Sequence, residues 1–121
     1  CRSERVMSHD PNCIFCKIVD GKIPARKVYE DDELLVFHDI APWAPVHVLV
    51  IPKEHVATMY ELERRHAPLL GRMLSMAPDL MRQLDVTNGF RTLINTGEDG
   101  RQEVQHVHMH VMGGPRPWAK G

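Results

Sequence analysis

The longest amphipathic pattern in the chain lies in residues 69–84. Apolar residues recur there every three or four positions, which places them on one face of a helix. They are Leu69, Leu70, Met73, Leu74, Ala77, Leu80, Met81 and Leu84. Pro68 suits the first turn of such a helix, whereas Pro78 removes a backbone hydrogen bond from its interior and is expected to kink it. The pattern predicts one long helix whose methionine-rich face packs in the core.

A shorter helix is predicted in residues 13–19. Ile14, Phe15 and Ile18 have nearly helical spacing, Gly21 provides a stop signal, and a proline follows three residues later. This helix would present its apolar residues to the rest of the domain.

Short apolar or alternating segments separated by turn residues predict β-strands. The five predicted strands are 27–30, 34–38, 47–51, 90–95 and 104–112. The first two flank Asp31-Asp32 and are expected to form a hairpin, and the third is closed by Pro52. A short turn of helix is expected within 56–63. Because the strands cluster instead of alternating with helices, the sequence predicts an α+β fold with an antiparallel sheet.

Composition limits the function classes. The 121 residues are 43% hydrophobic and 26% charged, and the formal net charge is −1. One domain is expected at this length, over residues 13–121, behind a flexible N-terminal tail of residues 1–12. The charge gives no electrostatic basis for binding nucleic acid or a membrane surface, and no apolar run approaches the roughly 20 residues of a membrane helix. A cytoplasmic protein is expected.

The fifth predicted strand carries the strongest chemical signal, the segment His106-Val107-His108-Met109-His110-Val111. Alternation along a strand would place the three histidines on one face and the three apolar residues on the other, towards a core. Such histidines can form a polar strand face without chemistry, or a metal site. A glycine-containing loop before the segment and Gly113-Gly114 after it favour a functional site.

An imidazole in this position suits phosphoryl chemistry. A neutral imidazole can attack phosphorus to form a covalent intermediate, and a second one can bind the phosphate or protonate the leaving group. His47 begins another predicted strand and could join them. The loop 95–103 could offer backbone N–H groups to an anion, although its glycines also suit a simple turn. Asp39 could accept hydrogen bonds from ribose, or could equally cap a turn.

Cys13 and Cys16 form a C-x-x-C pair, which supplies half of a tetrahedral zinc site. His55 and His106 are the favoured candidates to complete it, and spacing alone does not choose between them and the other histidines. The less favoured candidates are His9, His38 and His66. A reduced, metal-free pair or a redox pair is the alternative.

The segment His106–Val111 resembles the signature of the histidine-triad (HIT) superfamily. The resemblance extends from about Cys13 to Pro115. It includes the segments 14–18, 37–42, 44–47, 51–53 and 100–104. Gly113-Gly114 resembles the Hint branch, the nucleoside phosphoramidases, and Glu103 resembles the bacterial members.

This resemblance implies a five-stranded antiparallel sheet with one long and one short helix, and a homodimer whose sheets join into one of ten strands. It implies hydrolysis of a purine nucleoside 5'-phosphoramidate to the nucleoside monophosphate and an amine, through a covalent nucleotidyl-histidine and without a catalytic cofactor. The alternatives are a dinucleoside polyphosphate hydrolase or nucleotidyl transferase, and a nucleotide-binding module with little catalysis.

The resemblance also assigns roles by motif match. His108 would be the nucleophile, and His110 and His47 would contact the phosphate and support protonation of the leaving group. Asp39 would hold the ribose with Ile40 beside it. The phosphate end would be lined by Asn95, Arg101, Gln102 and Glu103. The base would lie between Ile14, Phe15, Ile18, Phe37 and Ile40. A structural zinc ion would be bound by Cys13, Cys16, His55 and His106.

Overall fold

The computed structural model describes residues 9–119, and most of the predicted N-terminal tail lies outside this range. The helices are α1 (Ile14–Val19) and α2 (Ala67–Gln83), and the strands are β1 (Lys27–Glu30), β2 (Leu34–His38), β3 (Val46–Pro52), β4 (Phe90–Leu93) and β5 (Met109–Gly113). Two single turns of 3₁₀ helix cover Met59–Glu61 and Arg64–His66. The strands form one antiparallel sheet in the order β1-β2-β3-β5-β4. This architecture confirms the predicted α+β fold with a five-stranded sheet, one long helix and one short helix.

The sheet separates two apolar clusters because successive residues of its central strands point to opposite faces. On one face, α2 covers the alternate residues of three strands. That cluster contains Leu34, Val36, Val48, Val50, Met109 and Val111 from the strands and Met73, Ala77, Leu80 and Met81 from α2. On the other face, α1 covers the intervening residues. That cluster contains Leu35, Phe37, Leu49 and Ile51 with Phe15, Cys16 and Ile18. The methionine-rich face of α2 is core, as the periodicity predicts, but Leu74, which was counted on that face, is exposed.

The ends of both helices follow their sequence signals. Gly21, with a φ of 79°, adopts the left-handed conformation, and the N–H of Lys22 donates to the carbonyl of Lys17 at 2.9 Å, which closes α1. Helix α2 begins at Ala67 and continues through Pro78, which therefore does not end it. The carbonyl that loses the hydrogen bond Pro78 cannot make belongs to Leu74, a residue on the exposed face of the helix.

The fifth strand begins later than predicted. Residues 104–112 were expected to be paired throughout, whereas β5 starts at Met109 and its pairing with β3 begins at the Val50–Met109 pair. Beyond Val50, β3 runs to Pro52, which has no N–H to donate, and the Pro52 carbonyl accepts a hydrogen bond from the ring of His106 instead. The prediction that one strand carries all three histidines was therefore wrong, since only His110 lies within β5.

Other strand ends and the C-terminal segment also depart from or add to the predictions. Strand β4 ends at Leu93, two residues earlier than expected. The C-terminal segment folds back, because the indole N–H of Trp118 donates to the Gly114 carbonyl at 3.0 Å and the N–H of Ala119 donates to the Trp43 carbonyl at 2.8 Å. Of the helices in residues 9–119, none has the length and apolar character needed to cross a membrane.

Candidate active site and metal centre

A cavity of about 280 Å³ opens between α1, the loop after β2, the loop 95–103 and the start of β5. One side is apolar and the other carries imidazole, carboxylate and guanidinium groups. The residues predicted to bind substrate or act in catalysis that line it are Ile14, Phe15, Ile18, Phe37, Asp39, Ile40, Asn95, Arg101, Glu103, His108 and His110. Four further residues line the cavity and were not predicted from the sequence: Ala41, Trp43, Leu49 and Val104. An apolar cleft with a few converging polar groups is typical of a small-molecule site.

Two of the predicted residues occupy other positions. The amide of Gln102 is engaged within the protein, because its nitrogen donates to the carbonyls of Ala57 and Val104 and its oxygen accepts from the N–H of Gly97. Gln102 therefore braces the loop. His47 lies behind His110, with its Nε2 atom 2.8 Å from His110 Nδ1. Both residues support the cavity wall without lining it.

His108 is buried and has a defined orientation. Its Nδ1–H donates to the backbone carbonyl of His106 at 2.7 Å, which leaves Nε2 as the basic nitrogen of the neutral ring. Phe15 packs edge-on against this ring, with 5.1 Å between centroids. Burial lowers the pKa of His108. At neutral pH the ring is therefore uncharged. Its basic atom is Nε2, and the side chain lines the cavity.

His47 and His110 form a directed hydrogen-bonded pair. The backbone N–H of Trp43 donates to His47 Nδ1 at 3.0 Å, so the proton of a neutral His47 ring lies on Nε2. That Nε2–H donates to His110 Nδ1, which in turn places the His110 proton on Nε2. An Asp39 carboxylate oxygen lies 3.5 Å from His47 Nε2. Burial lowers the pKa of His47, and lowers that of His110 to about 4.

The polar loop 95–103 is shaped by tight backbone packing. A Cβ atom at Gly100 would lie 2.3 Å from the carbonyl oxygen of Thr96, so the loop can close only with glycine at this position. Arg101 follows with a positive φ of 63°, and it lines the cavity together with Glu103. Ile40, in the loop after β2, also lines the cavity and is 99% exposed, so it lies at the rim. The cavity thus has one structured polar edge and one exposed apolar edge.

The four predicted zinc ligands come together in a separate cluster, and none of them lines this cavity. The distances to His106 Nδ1 are 3.4 Å from Cys13 Sγ, 3.6 Å from Cys16 Sγ and 3.3 Å from His55 Nδ1. Around a tetrahedral zinc ion, nitrogen and sulfur ligands are about 3.5 Å apart and two nitrogens about 3.3 Å apart, given Zn–N and Zn–S lengths of about 2.0–2.1 and 2.3 Å. The side chains therefore already have the edge lengths of a zinc tetrahedron.

The second ring nitrogen of His106 supports this arrangement. His106 Nε2–H donates to the Pro52 carbonyl at 2.7 Å, which leaves Nδ1 unprotonated and directed at the two thiols. Burial raises the pKa of Cys16 to about 11, so a cation is needed for this sulfur to become a thiolate at neutral pH. The donor set, its distances and its burial all fit a structural zinc ion.

Two of the less favoured metal candidates, His66 and His9, have other partners. His66 is buried, accepts a hydrogen bond from the N–H of Glu63 and lies 3.3 Å from a Glu54 oxygen. His9 lies 2.5 Å from an Asp20 carboxylate oxygen. Of the five histidines considered for the C-x-x-C pair, the structure brings only His55 and His106 to the cysteines.

Comparisons with known proteins agree with this geometry. The family described as "Scavenger mRNA decapping enzyme C-term binding" matches residues 12–119. Protein HitA of Neisseria gonorrhoeae is 51% identical over 104 residues, which are 86% of this chain and 97% of HitA. A 14 kDa zinc-binding protein of Brassica juncea is 45% identical over 103 residues, 84% of this chain and 91% of that protein. The crystal structure of a HIT family hydrolase from Legionella pneumophila Philadelphia 1 matches with a TM-score of 0.83 and 42% identity, over 87% of this chain and 95% of that one.

The matches cover nearly all of the described residues, in sequence and in fold. They include the segment that carries the three histidines and the strands that position it. On this basis the chain belongs to the histidine-triad (HIT) family.

Proposed function

We propose that this protein is a hydrolase that cleaves purine nucleoside 5'-phosphoramidates through a covalent nucleotidyl-His108 intermediate. The observation that carries the proposal is the basic Nε2 of a neutral, buried His108 beside the His47–His110 pair, at the polar end of an apolar cavity. The solved relative from Legionella pneumophila is named a HIT family hydrolase, which supports hydrolysis as the reaction class.

In the first step, His108 Nε2 attacks the phosphorus atom, a phosphorus–nitrogen bond to His108 forms, and the bond to the leaving amine breaks. The amine must gain a proton as it leaves. With a phosphate anion in the cavity, His110 takes up a proton from solvent on Nδ1, and His47 Nε2–H turns to the Asp39 carboxylate oxygen 3.5 Å away. His110 Nε2 then passes its proton to the amine nitrogen. In the second step, water attacks the phosphorus and gives a proton to His110 Nε2, the bond to His108 breaks, and the nucleoside monophosphate is released with His108 neutral again.

The remaining cavity residues would bind the nucleoside. We assign the purine ring to the apolar side, between Phe15, Ile18 and Phe37, with Ile14 and Ile40 at the rim. Asp39 lies where the loop leaves β2 and would accept hydrogen bonds from the ribose hydroxyls. Asn95, Arg101 and Glu103 would contact the phosphate and the leaving group. Gln102 would act indirectly, because its amide holds the loop that carries its two neighbours.

Zinc and a homodimer complete the proposal. Cys13, Cys16, His55 and His106 would hold one structural zinc ion, a role supported by the zinc-binding relative from Brassica juncea. Metal analysis of the purified protein should find about one equivalent, as expected for a buried tetrahedral site. Strand β4 is an edge strand with exposed side chains and would pair with a second copy to extend the sheet. Sedimentation analysis should find a dimer.

The decisive experiment for the activity measures AMP release from an adenosine 5'-phosphoramidate by the wild type and by His108→Ala. We expect rapid turnover by the wild type and a loss of roughly 10³-fold or more in the variant. Retained AMP binding by His108→Ala would show that its cavity is intact. Diadenosine polyphosphate serves as the competing substrate. Full activity of the variant, or wild-type turnover of the polyphosphate alone, would refute the proposal.

A further inference from the structure

Trp43 connects three parts of the active site that sequence reasoning did not link. Its backbone N–H donates to His47 Nδ1 at 3.0 Å. Its indole ring stacks on the imidazole of His110, with 5.3 Å between centroids and 18° between planes. Its backbone carbonyl accepts a hydrogen bond from Ala119 of the C-terminal segment at 2.8 Å. Trp43 therefore contacts both imidazoles of the pair while its own backbone is fixed on the carbonyl side.

We infer that Trp43 is a positioning residue that fixes the ring orientation and the proton location of the His47–His110 pair. This inference rests on the proposed function, because it concerns the group assigned to protonate the leaving amine.

The backbone of Trp43 determines the tautomer. A peptide N–H is always a donor, so the atom it faces, His47 Nδ1, must present its lone pair. The His47 proton is then on Nε2, 2.8 Å from His110 Nδ1. His110 Nδ1 accepts that bond and the His110 proton is left on Nε2. One backbone group thus sets the direction of both hydrogen bonds, and a reversed ring at either histidine would break the series.

The indole of Trp43 keeps the second ring in place. An imidazole rotates readily about its last side-chain bond, since that torsion has a broad and nearly two-fold profile. An indole stacked almost parallel to the His110 ring restricts this rotation, and its π face also stabilises the ring when it is protonated. His108 lies on another side of His110, with 4.9 Å between ring centroids. The charged groups of the same wall are Asp39, Arg101 and Glu103.

Substitution of Trp43 separates positioning from packing. Trp43→Phe keeps a flat aromatic face, whereas Trp43→Leu and Trp43→Gln remove it. All three retain the backbone N–H to His47. The matched control is Tyr60→Leu, because Tyr60 is 89% exposed and lies on a 3₁₀ turn away from the cavity. Each protein is measured by ring ¹⁵N NMR at neutral pH and by steady-state kinetics with an adenosine 5'-phosphoramidate.

We expect a single Nε2–H tautomer at His110 in the wild type, in Trp43→Phe and in the control. In the Leu and Gln variants the backbone N–H still sets the tautomer of His47, but the His110 ring loses its stacked partner and can turn Nδ1 away from His47. His110 should therefore show mixed tautomers, and kcat should fall about tenfold, the scale of a lost aromatic stack, with KM changed less than about threefold. A single Nε2–H tautomer in a folded Leu or Gln variant would overturn the inference, as would a loss confined to KM. If the wild type turned over no phosphoramidate, the proposed function would fail while the tautomer comparison still tested the position of His110.

Discussion

His106 and His108 are two residues apart, but they belong to sites with different chemistry. His106 donates through Nε2 to the Pro52 carbonyl and turns Nδ1 towards two thiols. His108 donates through Nδ1 to the His106 carbonyl and keeps Nε2 as its basic atom. In both rings a backbone carbonyl decides which nitrogen is available. The hydrogen-bond partner, more than the residue type, therefore determines whether a buried histidine can serve as a metal ligand or as a nucleophile.

Phe15 forms the boundary between the two sites. It lies between the two cysteines in sequence, and its ring packs edge-on against both His106 and His108, with centroid distances of 5.8 and 5.1 Å. A metal ion that holds Cys13 and Cys16 would therefore also fix the position of a side chain in the nucleotide cavity. The two sites differ in chemistry, but they share one wall.

The largest change in stability is expected from the loss of a predicted zinc ligand. Cys16→Ser removes a buried sulfur ligand, so the bound zinc should be lost and Tm should fall by roughly 10 °C or more, since metal binding to such a site is linked to folding. Calorimetry with parallel metal analysis measures both quantities. Cys1→Ser is the control for the third cysteine and should change neither. A Cys16→Ser variant with wild-type Tm and full metal content would contradict the four-ligand site.

Buried histidines at the cavity should make the free energy of unfolding depend on pH. The pKa of His110 is about 4 in the folded protein, against an ordinary value of 6.5, because burial disfavours the charged ring. Between these pH values the unfolded chain binds a proton that the folded chain does not, so stability is fully present above pH 6.5 and is lost as the pH falls towards 4.

This pH dependence can be assigned by substitution. Relative to its value at pH 7.5, the stability of the wild type at pH 5 should fall by on the order of 1–3 kcal/mol more than that of His110→Gln. Chemical unfolding at both pH values measures this difference. Equal losses in the two proteins would show that His110 is not held neutral by its surroundings.

Phe15→Leu tests whether the two sites are coupled, because Phe15 contacts both His106 and His108. Leucine keeps most of the apolar volume and removes the ring contacts with His106, His108 and Phe37. Aromatic contacts of this kind contribute about 0.5–1.5 kcal/mol beyond burial, so AMP affinity should fall about two- to tenfold and zinc affinity should also decrease. Calorimetric titration measures both. A decrease in only one of the two affinities would show that Phe15 does not couple the sites.

The smallest effect is expected at the rim. Ile40 was predicted to lie against the base, but its side chain is 99% exposed, so its truncation removes little buried surface. Ile40→Ala should therefore change AMP affinity by less than about twofold, whereas Phe37→Ala, on a buried strand residue, should weaken it severalfold. A large loss in Ile40→Ala would mean that the rim closes over the bound nucleotide.

Much of the fold could be predicted because its signals are local. The first two strands have the predicted bounds, and the periodicity of α2 identified the face that packs in the core. The start of β5 could not be predicted from the sequence. Polar and apolar residues alternate from His106 to Val111, but pairing with β3 begins only at the Val50–Met109 pair. Periodicity describes which side a residue faces, and it does not report whether a neighbouring strand is present.

The candidate site shows the same division. The sequence identified the three-histidine segment and the C-x-x-C pair. The structure brings His55 and His106 to that pair, a choice that spacing alone left open. Trp43 was missed because a tryptophan in a proline-containing loop has no pattern that marks it. Its role depends on a backbone N–H and on a stacked ring from a strand distant in sequence. Tautomers were equally beyond the sequence, since each is decided by a carbonyl or N–H from elsewhere in the fold.

The most direct test of the account asks whether a nucleotide becomes covalently attached to His108. The wild type would be mixed with adenosine 5'-phosphoramidate, quenched during turnover, and examined by intact mass and peptide mapping. The proposed covalent mechanism predicts an added mass equal to AMP less water, carried by the peptide that contains His108 and absent from His108→Ala. Turnover without any adduct under quench conditions that preserve phosphohistidine bonds, or an adduct on a different residue, would contradict it.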